Sequence, residues 1–290
     1  MRPRDTVDLL LLGALWGASF LFLRIAAPEF GPVPLIFVRV ALAAALLGSV
    51  LWYRGLASAT WAHRRPLLLL GVINTAVPFT LFAYAGLSLP AGLNSVLNAT
   101  VPLFGAITAA VWLGERLAPA RLGGLAIGFG GVLVLAWPKL ALDGEGLAVL
   151  AALSATVLYA ISAHYTRRSL SGVATLVVAG GSQLAAAAVL TPLVLAQWPA
   201  TPPTPLAWAC AAALGVLCTA LAYLLYFRLI SRTGAVTAMA VTYLIPVFGI
   251  TWGATFLGER LPTSAFAGAL LVLLGVGLTT RATGSRPRTS

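Results

Sequence analysis

Apolar stretches of about twenty residues recur along the whole chain, and this recurrence restricts the fold more than any other feature of the sequence. A helix rises about 1.5 Å per residue, so about twenty residues cross a hydrocarbon core of roughly 30 Å. Short polar loops separate ten such stretches, predicted at 7–27, 33–53, 67–88, 91–113, 119–137, 147–166, 173–197, 206–228, 234–256 and 263–280. These ten spans leave almost no residues for a soluble domain.

The ten spans are predicted to be α-helices. Lipid offers no hydrogen-bond partners to the backbone, so only helices and closed barrels satisfy their own polar groups there. Barrel strands alternate polar and apolar residues, and these stretches do not. Composition agrees, because 60% of the 290 residues are hydrophobic and only 9% are charged, against roughly 25% charged residues in soluble domains. The predicted fold class is an all-α integral membrane protein.

The placement of arginines predicts the orientation, because positive residues in short loops stay on the cytoplasmic side. In a ten-span arrangement one side receives most basic residues, whereas Lys139 and Arg260 lie in loops on the opposite side. Both termini are therefore expected in the cytoplasm, with the chain in the cell (inner) membrane. The formal net charge of +11 is spread over many short loops with no basic domain, so we expect the lipid bilayer as a partner and no nucleic acid.

Two segments of the first half recur in the second half at a constant offset of 144 residues. Residues 101–105 (Val-Pro-Leu-Phe-Gly) match 245–249 (Ile-Pro-Val-Phe-Gly), and the Leu-Gly-Glu-Arg-Leu sequence of 113–117 returns at 257–261. This register pairs the third, fourth and fifth spans with the eighth, ninth and tenth. A weaker match at an offset of 143 relates the first span to the sixth. Each half is therefore predicted to be a five-helix unit.

The two units are predicted at 1–140 and 145–281, followed by a cytoplasmic tail at 282–290. Because five is an odd number, the second unit must enter the membrane from the opposite side, which makes the repeat inverted. Secondary transporters obtain two access states from inverted repeats, with the substrate near the midplane between the halves. The pattern favours transport by alternating access. The alternative is a duplication that built a passive channel or a scaffold.

Several motifs resemble those of one known family. They are residues 14–20 (Ala-Leu-Trp-Gly-Ala-Ser-Phe), Arg24, Pro34, Arg39 and the Gly-Glu-Arg-Leu elements that close the fourth and ninth spans. Together they resemble the EamA-type branch of the drug/metabolite transporter superfamily, over essentially the whole chain. The resemblance implies a carrier that exports amino acids, aromatic ones included, or other metabolites. Uptake or facilitative exchange of another metabolite is the alternative that the same resemblance implies.

Two prolines occupy equivalent mid-span positions, Pro102 and Pro246. Each removes a hydrogen bond to the carbonyl four residues earlier, at Asn98 and Thr242. Kinks at these points would place polar groups at a central cavity and could act as hinges. Static bends accommodated by packing are the alternative.

Polar and aromatic residues near the middle of the spans are the candidate substrate-binding residues, since an unpartnered polar group is costly at that depth. Such side chains suit a cavity that stacks on an organic solute and hydrogen-bonds its polar ends. The candidates are Trp16, Ser19, Asn74, Phe79, Asn98, Tyr159, Gln183, Tyr223 and Tyr243. Taken singly, each is more typical of an ordinary contact between helices.

Arg24 and Arg39 fall in the outer third of the first two spans and are candidate contacts for a substrate carboxylate. The alternative is that their side chains extend to the interface or pair with Glu29. Glu115 and Glu259 end the fourth and ninth spans beside glycines, and we expect them to have a structural role as helix caps.

No combination of residues in the spans predicts a metal site, a cofactor or an enzyme. Catalysis would need a nucleophile with a base, a metal cluster or paired carboxylates. The spans hold no carboxylate at mid-depth, and His164 is the one ionisable candidate for proton coupling. Facilitated diffusion or exchange is therefore at least as well supported as proton antiport. Ten helices suffice for a pathway in a monomer, and glycines spaced by four permit close packing inside one chain or in a dimer.

Overall fold

The computed structural model describes residues 2–114, 117–140 and 145–281, and these residues are helical without any strand. The membrane helices are α1 Pro3–Phe30, α2 Pro32–Tyr53, α3 Arg64–Ser88, α4 Ala91–Trp112, α5 Pro119–Leu140, α6 Glu145–Ser169, α7 Thr175–Gln197, α8 Pro205–Thr233, α9 in two pieces at Ala235–Ala238 and Val241–Leu257, and α10 Thr263–Arg281. A short connecting helix, Ala57–Ala62, joins α2 to α3. In the described residues nine helices are long and apolar enough to cross a membrane, and Val241–Leu257 is a shorter tenth.

The outer surface of the bundle is apolar. In the apolar stretch of each of the nine long membrane helices, between 33% and 50% of the residues are buried inside the bundle. Many of the other residues face outward. Large hydrophobic side chains such as Leu195 (80% exposed) and Trp137 (75% exposed) lie there. Exposing apolar surface to water costs roughly 25 cal/mol per Å², whereas lipid imposes no such cost. The prediction of an all-α membrane protein is confirmed.

The helices pack in pairs that the inverted repeat relates to one another. The pair α5 with α10 and the pair α2 with α7 each join equivalent helices of the two halves. The helix α1 packs against α8 and α9, and its counterpart α6 packs against α3 and α4. The halves are thus interleaved around a pseudo-two-fold axis rather than standing side by side.

Two equivalent glycines bring backbones together where α3 meets α7 and where α8 meets α2. A Cβ atom on Gly71 would lie 2.9 Å from the carbonyl oxygen of Ser182, and one on Gly215 would lie 2.8 Å from the carbonyl oxygen of Arg39. Such distances leave no room for a side chain. Because Gly71 and Gly215 are equivalent in the repeat, the residues that they contact are equivalent too. Ser182 is therefore the counterpart of Arg39 in the second half.

Glycine faces predicted for close packing are used inside the chain. Gly124 and Gly128 pack closely against other helices, with Gly124 against Gly275 and Thr279 of α10. A Cβ atom on Gly17 of α1 would lie 2.9 Å from the backbone nitrogen of Gly249 in α9. These contacts account for the spacing of the glycines without a second copy of the chain.

Two π-helical segments interrupt the helices at Val72–Ala76 in α3 and at Val216–Leu221 in α8. Their first residues are separated by the repeat offset, and hydropathy did not predict them. A π-helical turn carries one extra residue, changes the direction of the side chains that follow and is frequent at functional sites. Both segments face the centre of the bundle, where Asn74 and Cys218 line a cavity.

The helices α4 and α9 are broken, but not at equivalent residues, which corrects the expectation of matching kinks. The break in α4 is at residues 99–100, and Pro102 is then the second residue of the piece Val101–Leu113. The break in α9 is at residues 239–240, and Pro246 lies inside Val241–Leu257. Proline is tolerated in the first turn of a helix because its missing N–H would have no partner there. The hinge role of both prolines stays a prediction.

Candidate functional site

A cavity of about 230 Å³ lies between the two halves. Its walls come from α1, α2 and α3, from both sides of the break in α4, and from α6, α8 and α9. The lining residues are Trp16, Ser19, Phe20, Leu23, Arg39, Asn74, Phe79, Phe82, Asn98, Val101, Tyr159, Cys218, Tyr223, Thr242 and Ile245. These positions fall near the middle of their helices, so the cavity lies near mid-depth in the membrane.

The structure brings most of the candidate residues to this cavity. The candidates in the lining are Trp16, Ser19, Arg39, Asn74, Phe79, Asn98, Tyr159 and Tyr223. Gln183 is fully buried in α7, a helix that contributes nothing to the lining. The Tyr243 hydroxyl also lies elsewhere, 2.7 Å from the Thr280 hydroxyl of α10. His164 lies outside the lining as well, with Nε2 at 3.3 Å from the Gly105 carbonyl oxygen.

The cavity lies on the pseudo-two-fold axis, because its lining consists largely of equivalent pairs. Those pairs are Trp16 with Tyr159, Asn74 with Cys218, Phe79 with Tyr223, Asn98 with Thr242, and Val101 with Ile245. The lining residues that sequence reasoning missed are Phe20, Leu23, Phe82, Val101, Cys218, Thr242 and Ile245. The repeat offset was the signal that could have found Cys218, since adding 144 to Asn74 gives that position.

Arg39 is the one charged residue in the described lining, and it is 6% exposed. Its Nε donates to Thr219 Oγ1 at 2.9 Å, and its Cζ lies 3.8 Å from the centroid of the Phe79 ring. The Thr219 hydroxyl donates to the Leu214 carbonyl five residues earlier, within the π-helical part of α8, so a lone pair remains free to accept from Arg39. The π-helical segment thus orients the guanidinium.

No carboxylate of the described residues lies within 4 Å of the Arg39 guanidinium; the ion pairs found in that part of the chain join Asp5 and Asp8 to Arg228 and Arg232. A buried charge without an opposite charge is costly in a membrane interior. The counterpart of Arg39 in the second half is Ser182, so the positive charge belongs to one half alone. An anion in the cavity would offset this cost.

Ser162 of α6 lies between the Asn74 side chain and the backbone of Tyr159 and can donate its one hydroxyl proton to either. Ser162 Oγ lies 2.7 Å from Asn74 Oδ1 and 2.8 Å from the carbonyl oxygen of Tyr159. Asn74 Oδ1 can accept from this hydroxyl, and the Asn74 side chain also hydrogen-bonds the Tyr223 side chain of α8. The Tyr159 ring stacks on Phe82 with centroids 5.9 Å apart. The Asn74 amide and the Tyr159 ring thus form adjoining polar and aromatic parts of the cavity wall.

The end of the bundle with the loops after α2, α4, α6 and α8 carries most of the arginines and is called the arginine-rich end; the opposite end is the arginine-poor end. Arg24 and Glu259 both lie at the arginine-poor end. Arg24 Nη1 donates to the carbonyl oxygens of Gly86 (3.0 Å) and Leu87 (2.5 Å) at the end of α3, away from the cavity.

Glu259 ties the end of α9 to the start of α4. Its Oε1 accepts from the backbone N–H of Ala91 at 2.8 Å, and its Oε2 accepts from that of Gly92 at 3.3 Å. These N–H groups have no partner within the helix, and the helix dipole favours an anion beside them. Glu259 therefore caps α4 from the other half of the molecule. Glu115 lies outside the described residues.

The helices α4 and α9 touch at the arginine-poor end and separate at the arginine-rich end. Ser95 of α4 is fully buried against Gly249 of α9, where a Cβ atom would collide with the serine. The equivalent residues at the other end are Met239 and Gly105. Met239 is 52% exposed, and a Cβ atom on Gly105 would meet none of the described residues within 4 Å. The same pair of segments is closed at one end and open at the other.

Residues 7–137 and residues 146–281 each match the EamA-like transporter family. The chain belongs to this family. The two matches follow the two halves of the fold, so the resemblance identified from the motifs is confirmed. As a member of the EamA-like family the protein is a membrane transporter.

Two relatives of known name match this chain over nearly their whole length. A probable terminal-alkyne amino-acid exporter from Streptantibioticus cattleyicolor is 27% identical, over 97% of this chain and 94% of the relative. A probable amino-acid metabolite efflux pump from Escherichia coli is 25% identical, over 95% of this chain and 94% of the relative. A solved crystal structure superposes with a TM-score of 0.68 over 97% of this chain and 99% of that one; at 21% identity it supports the fold alone.

Proposed function

We propose that this transporter exports amino acids or related metabolites, aromatic amino acids among them, by alternating access between residues 1–140 and 145–281. The names of the two relatives support the cargo. The excess of arginines at one end supports a cell-membrane location with both termini in the cytoplasm. The central cavity is complete within one chain, so a monomer is the proposed working unit.

The observation that carries the mechanism is the unequal contact between α4 and α9 at the two ends of the bundle. In an inverted repeat, exchanging the conformations of the two halves produces the opposite access state from the same sequence. Here Ser95 packs on Gly249 and closes the arginine-poor end. In the exchanged state Met239 would pack on Gly105 and close the arginine-rich end.

A labelling experiment tests this exchange. Single cysteines replace Ser95 or Met239 in a background where Cys210 and Cys218 are serines, and a maleimide reagent is added to membranes. In the state described here Met239→Cys reacts and Ser95→Cys does not. Addition of a transported amino acid should raise labelling of Ser95→Cys and lower that of Met239→Cys. Labelling that changes in the same direction at both positions would contradict alternating access.

The chemistry of the cavity supports a small solute with a carboxylate. Arg39 offers a guanidinium that can hold a carboxylate through two N–H donors. The rings of Trp16, Phe79 and Tyr159 surround the remaining volume with apolar and aromatic surface. At about 230 Å³ the cavity is smaller than the roughly 300–1,000 Å³ of sites for drug-sized ligands. An amino acid fits this description better than a bulky drug.

Facilitative exchange is the second candidate for the energetics. The described lining contains no aspartate, glutamate or histidine that could carry a coupling proton. Proton-driven carriers usually keep such a group in the membrane interior. An exchanger would move the same solutes without an ion gradient.

Counterflow separates these possibilities. Labelled phenylalanine or threonine is offered to proteoliposomes that contain the pure protein and unlabelled amino acid, with no ion gradient. We expect saturable uptake that is lost in Arg39→Gln and retained in Tyr243→Phe, whose hydroxyl lies outside the cavity. Uptake only under a proton gradient would indicate antiport, unsaturable flux would indicate a channel, and no flux in any condition would exclude amino acids as cargo.

A further inference from the structure

A second concave region lies on the outside of the bundle at the arginine-rich end. It is a groove of about 690 Å³ between α2, α3 and α7, beside the connecting helix Ala57–Ala62, and it shares no residue with the central cavity. Its wall residues include Trp52 (79% exposed), Leu68 (48%) and Leu184 (43%). Exposure of large apolar side chains on the outer surface means that the groove opens toward lipid rather than toward the substrate pathway.

The inner walls of the groove have the chemistry of an acyl-chain site. Apart from Thr60 and two arginines, its lining is apolar or glycine. Gly48 leaves part of the groove floor without a side chain, and a Cβ atom there would lie 3.9 Å from Leu184, at ordinary contact distance. A hydrocarbon chain can therefore lie along the groove floor at Gly48, on the lipid side of the packed pair α2 and α7.

The rim of the groove carries two adjacent arginines at the start of α3, Arg64 and Arg65. The Arg64 guanidinium lies over the Trp61 ring at 4.9 Å from its centroid, and Nη1 donates to the Trp61 carbonyl at 3.2 Å. In the part of the chain that the structure describes, no carboxylate lies within 4 Å of either guanidinium. Both cations are exposed beside an apolar groove, at the depth where tryptophans mark the membrane interface.

The inverted repeat provides an internal comparison. The position equivalent to Arg64 in the second half is Trp208, at the arginine-poor end. Its ring packs at 4.9 Å from Phe30 and at 6.3 Å from Trp198. There the protein's own aromatic side chains pack together, and no basic pair is present. The open groove with its two arginines is thus a property of one half and not a requirement of the fold.

We propose that this groove binds one anionic phospholipid, with the phosphate between Arg64 and Arg65 and an acyl chain along the groove floor formed by α2, α3 and α7. Two features that a lipid needs together are present at one place: a pair of cations without acidic partners and an apolar channel that begins beneath them. Basic pockets between membrane helices are known to hold anionic head groups. A zwitterionic lipid would gain the apolar contacts but little of the charge interaction.

Native mass spectrometry of the full chain in detergent, titrated with phosphatidylglycerol or phosphatidylcholine, tests the proposal. We expect one phosphatidylglycerol to remain bound under conditions that remove phosphatidylcholine. The Arg64→Gln/Arg65→Gln double variant should weaken that binding roughly thirtyfold, since each arginine near an anionic head group contributes about a factor of five. The matched control is Arg167→Gln/Arg168→Gln, an arginine pair at the same end without a groove.

A second variant separates the groove from surface charge. Gly48→Phe places a large side chain over the groove floor and leaves every arginine in place, so it should also release the bound lipid. Soluble glycerol phosphate should not compete, because it lacks the acyl chain. Equal loss in the Arg167/Arg168 control, full binding in Gly48→Phe, competition by glycerol phosphate, or equal retention of phosphatidylcholine would each overturn the proposal.

Discussion

At the scale of single residues, the site depends on how a buried guanidinium is held before any substrate arrives. Arg39 has one side-chain hydrogen bond, to Thr219, and one aromatic face, Phe79. Both contacts fix its direction and neither neutralises its charge. The residue is therefore prepared for an anion at little cost in side-chain ordering, which is how a preorganised site gains affinity.

The first prediction concerns Thr219, whose equivalent in the first half is Thr75. Thr219→Val removes the oxygen that accepts from Arg39, and we expect KM for a carboxylate solute to rise roughly tenfold, since hydrogen bonds to charged groups contribute about 1.5–3 kcal/mol. Thr75 is equally buried, but its Oγ1 has no hydrogen-bond partner among the described residues. Thr75→Val is thus the matched control and should leave KM unchanged. Counterflow kinetics measure both, and an equal rise in the two variants would show a general packing effect.

At the scale of helices, close approach of backbones holds the two halves together. A Cβ atom on Gly131 of α5 would lie 2.7 Å from the Gly268 carbonyl oxygen and 2.7 Å from the Val272 nitrogen of α10. In lipid there is little hydrophobic force between helices, so packing at small residues supplies much of the stability. The crossing of α5 with α10 is therefore sensitive to a single methyl group.

The second prediction compares adjacent glycines on α5. Gly131→Ala forces α5 away from α10, and we expect it to lower stability by about 1–3 kcal/mol, as overpacking does. Gly130 points away from its neighbours, with none of the described atoms within 4 Å of a Cβ atom there. Gly130→Ala should be neutral or slightly stabilising, because alanine favours helix more than glycine does. Thermal unfolding in detergent measures the difference; a similar loss in both variants would contradict the assigned packing.

Much of this architecture could be predicted from the sequence, because lipid accepts only long apolar helices and because the repeat fixes which helices are equivalent. What could not be predicted is geometry that hydropathy does not encode. A π-helical turn at Val72–Ala76 has the same composition as an α-helical one. Gln183 and Tyr243 are polar at suitable depth, but polarity alone does not say which face of α7 or α9 meets the cavity. For this reason the sequence predicted only some of the residues that line the cavity.

At the scale of the whole molecule, the contact between α4 and α9 decides which end of the pathway is open. The piece Ala91–Asn98 of α4 packs on α9, and Glu259 caps its first turn, so the arginine-poor end is closed by the packing of the two helices and by hydrogen bonds. The equivalent contact at the other end is not formed between Gly105 and Met239. Two states related by such a repeat differ by few contacts, so small substitutions can change their populations.

The third prediction uses the two equivalent glycines of this contact. Gly105→Leu fills space that is empty in the present state and that Met239 must occupy in the opposite one. We expect it to fold normally, to abolish counterflow and to keep a cysteine at position 95 protected from maleimide. Gly249→Leu should act in reverse, since its side chain collides with Ser95 here. It should disfavour the present state by about 1–3 kcal/mol, raise labelling at position 95 and protect a cysteine at position 239. If Gly105→Leu and Gly249→Leu change the labelling in opposite directions and both stop transport, the contact between α4 and α9 moves during the transport cycle. A static contact would not give opposite labelling. If Gly105→Leu transports at the normal rate, the closure of the arginine-rich end must occur elsewhere.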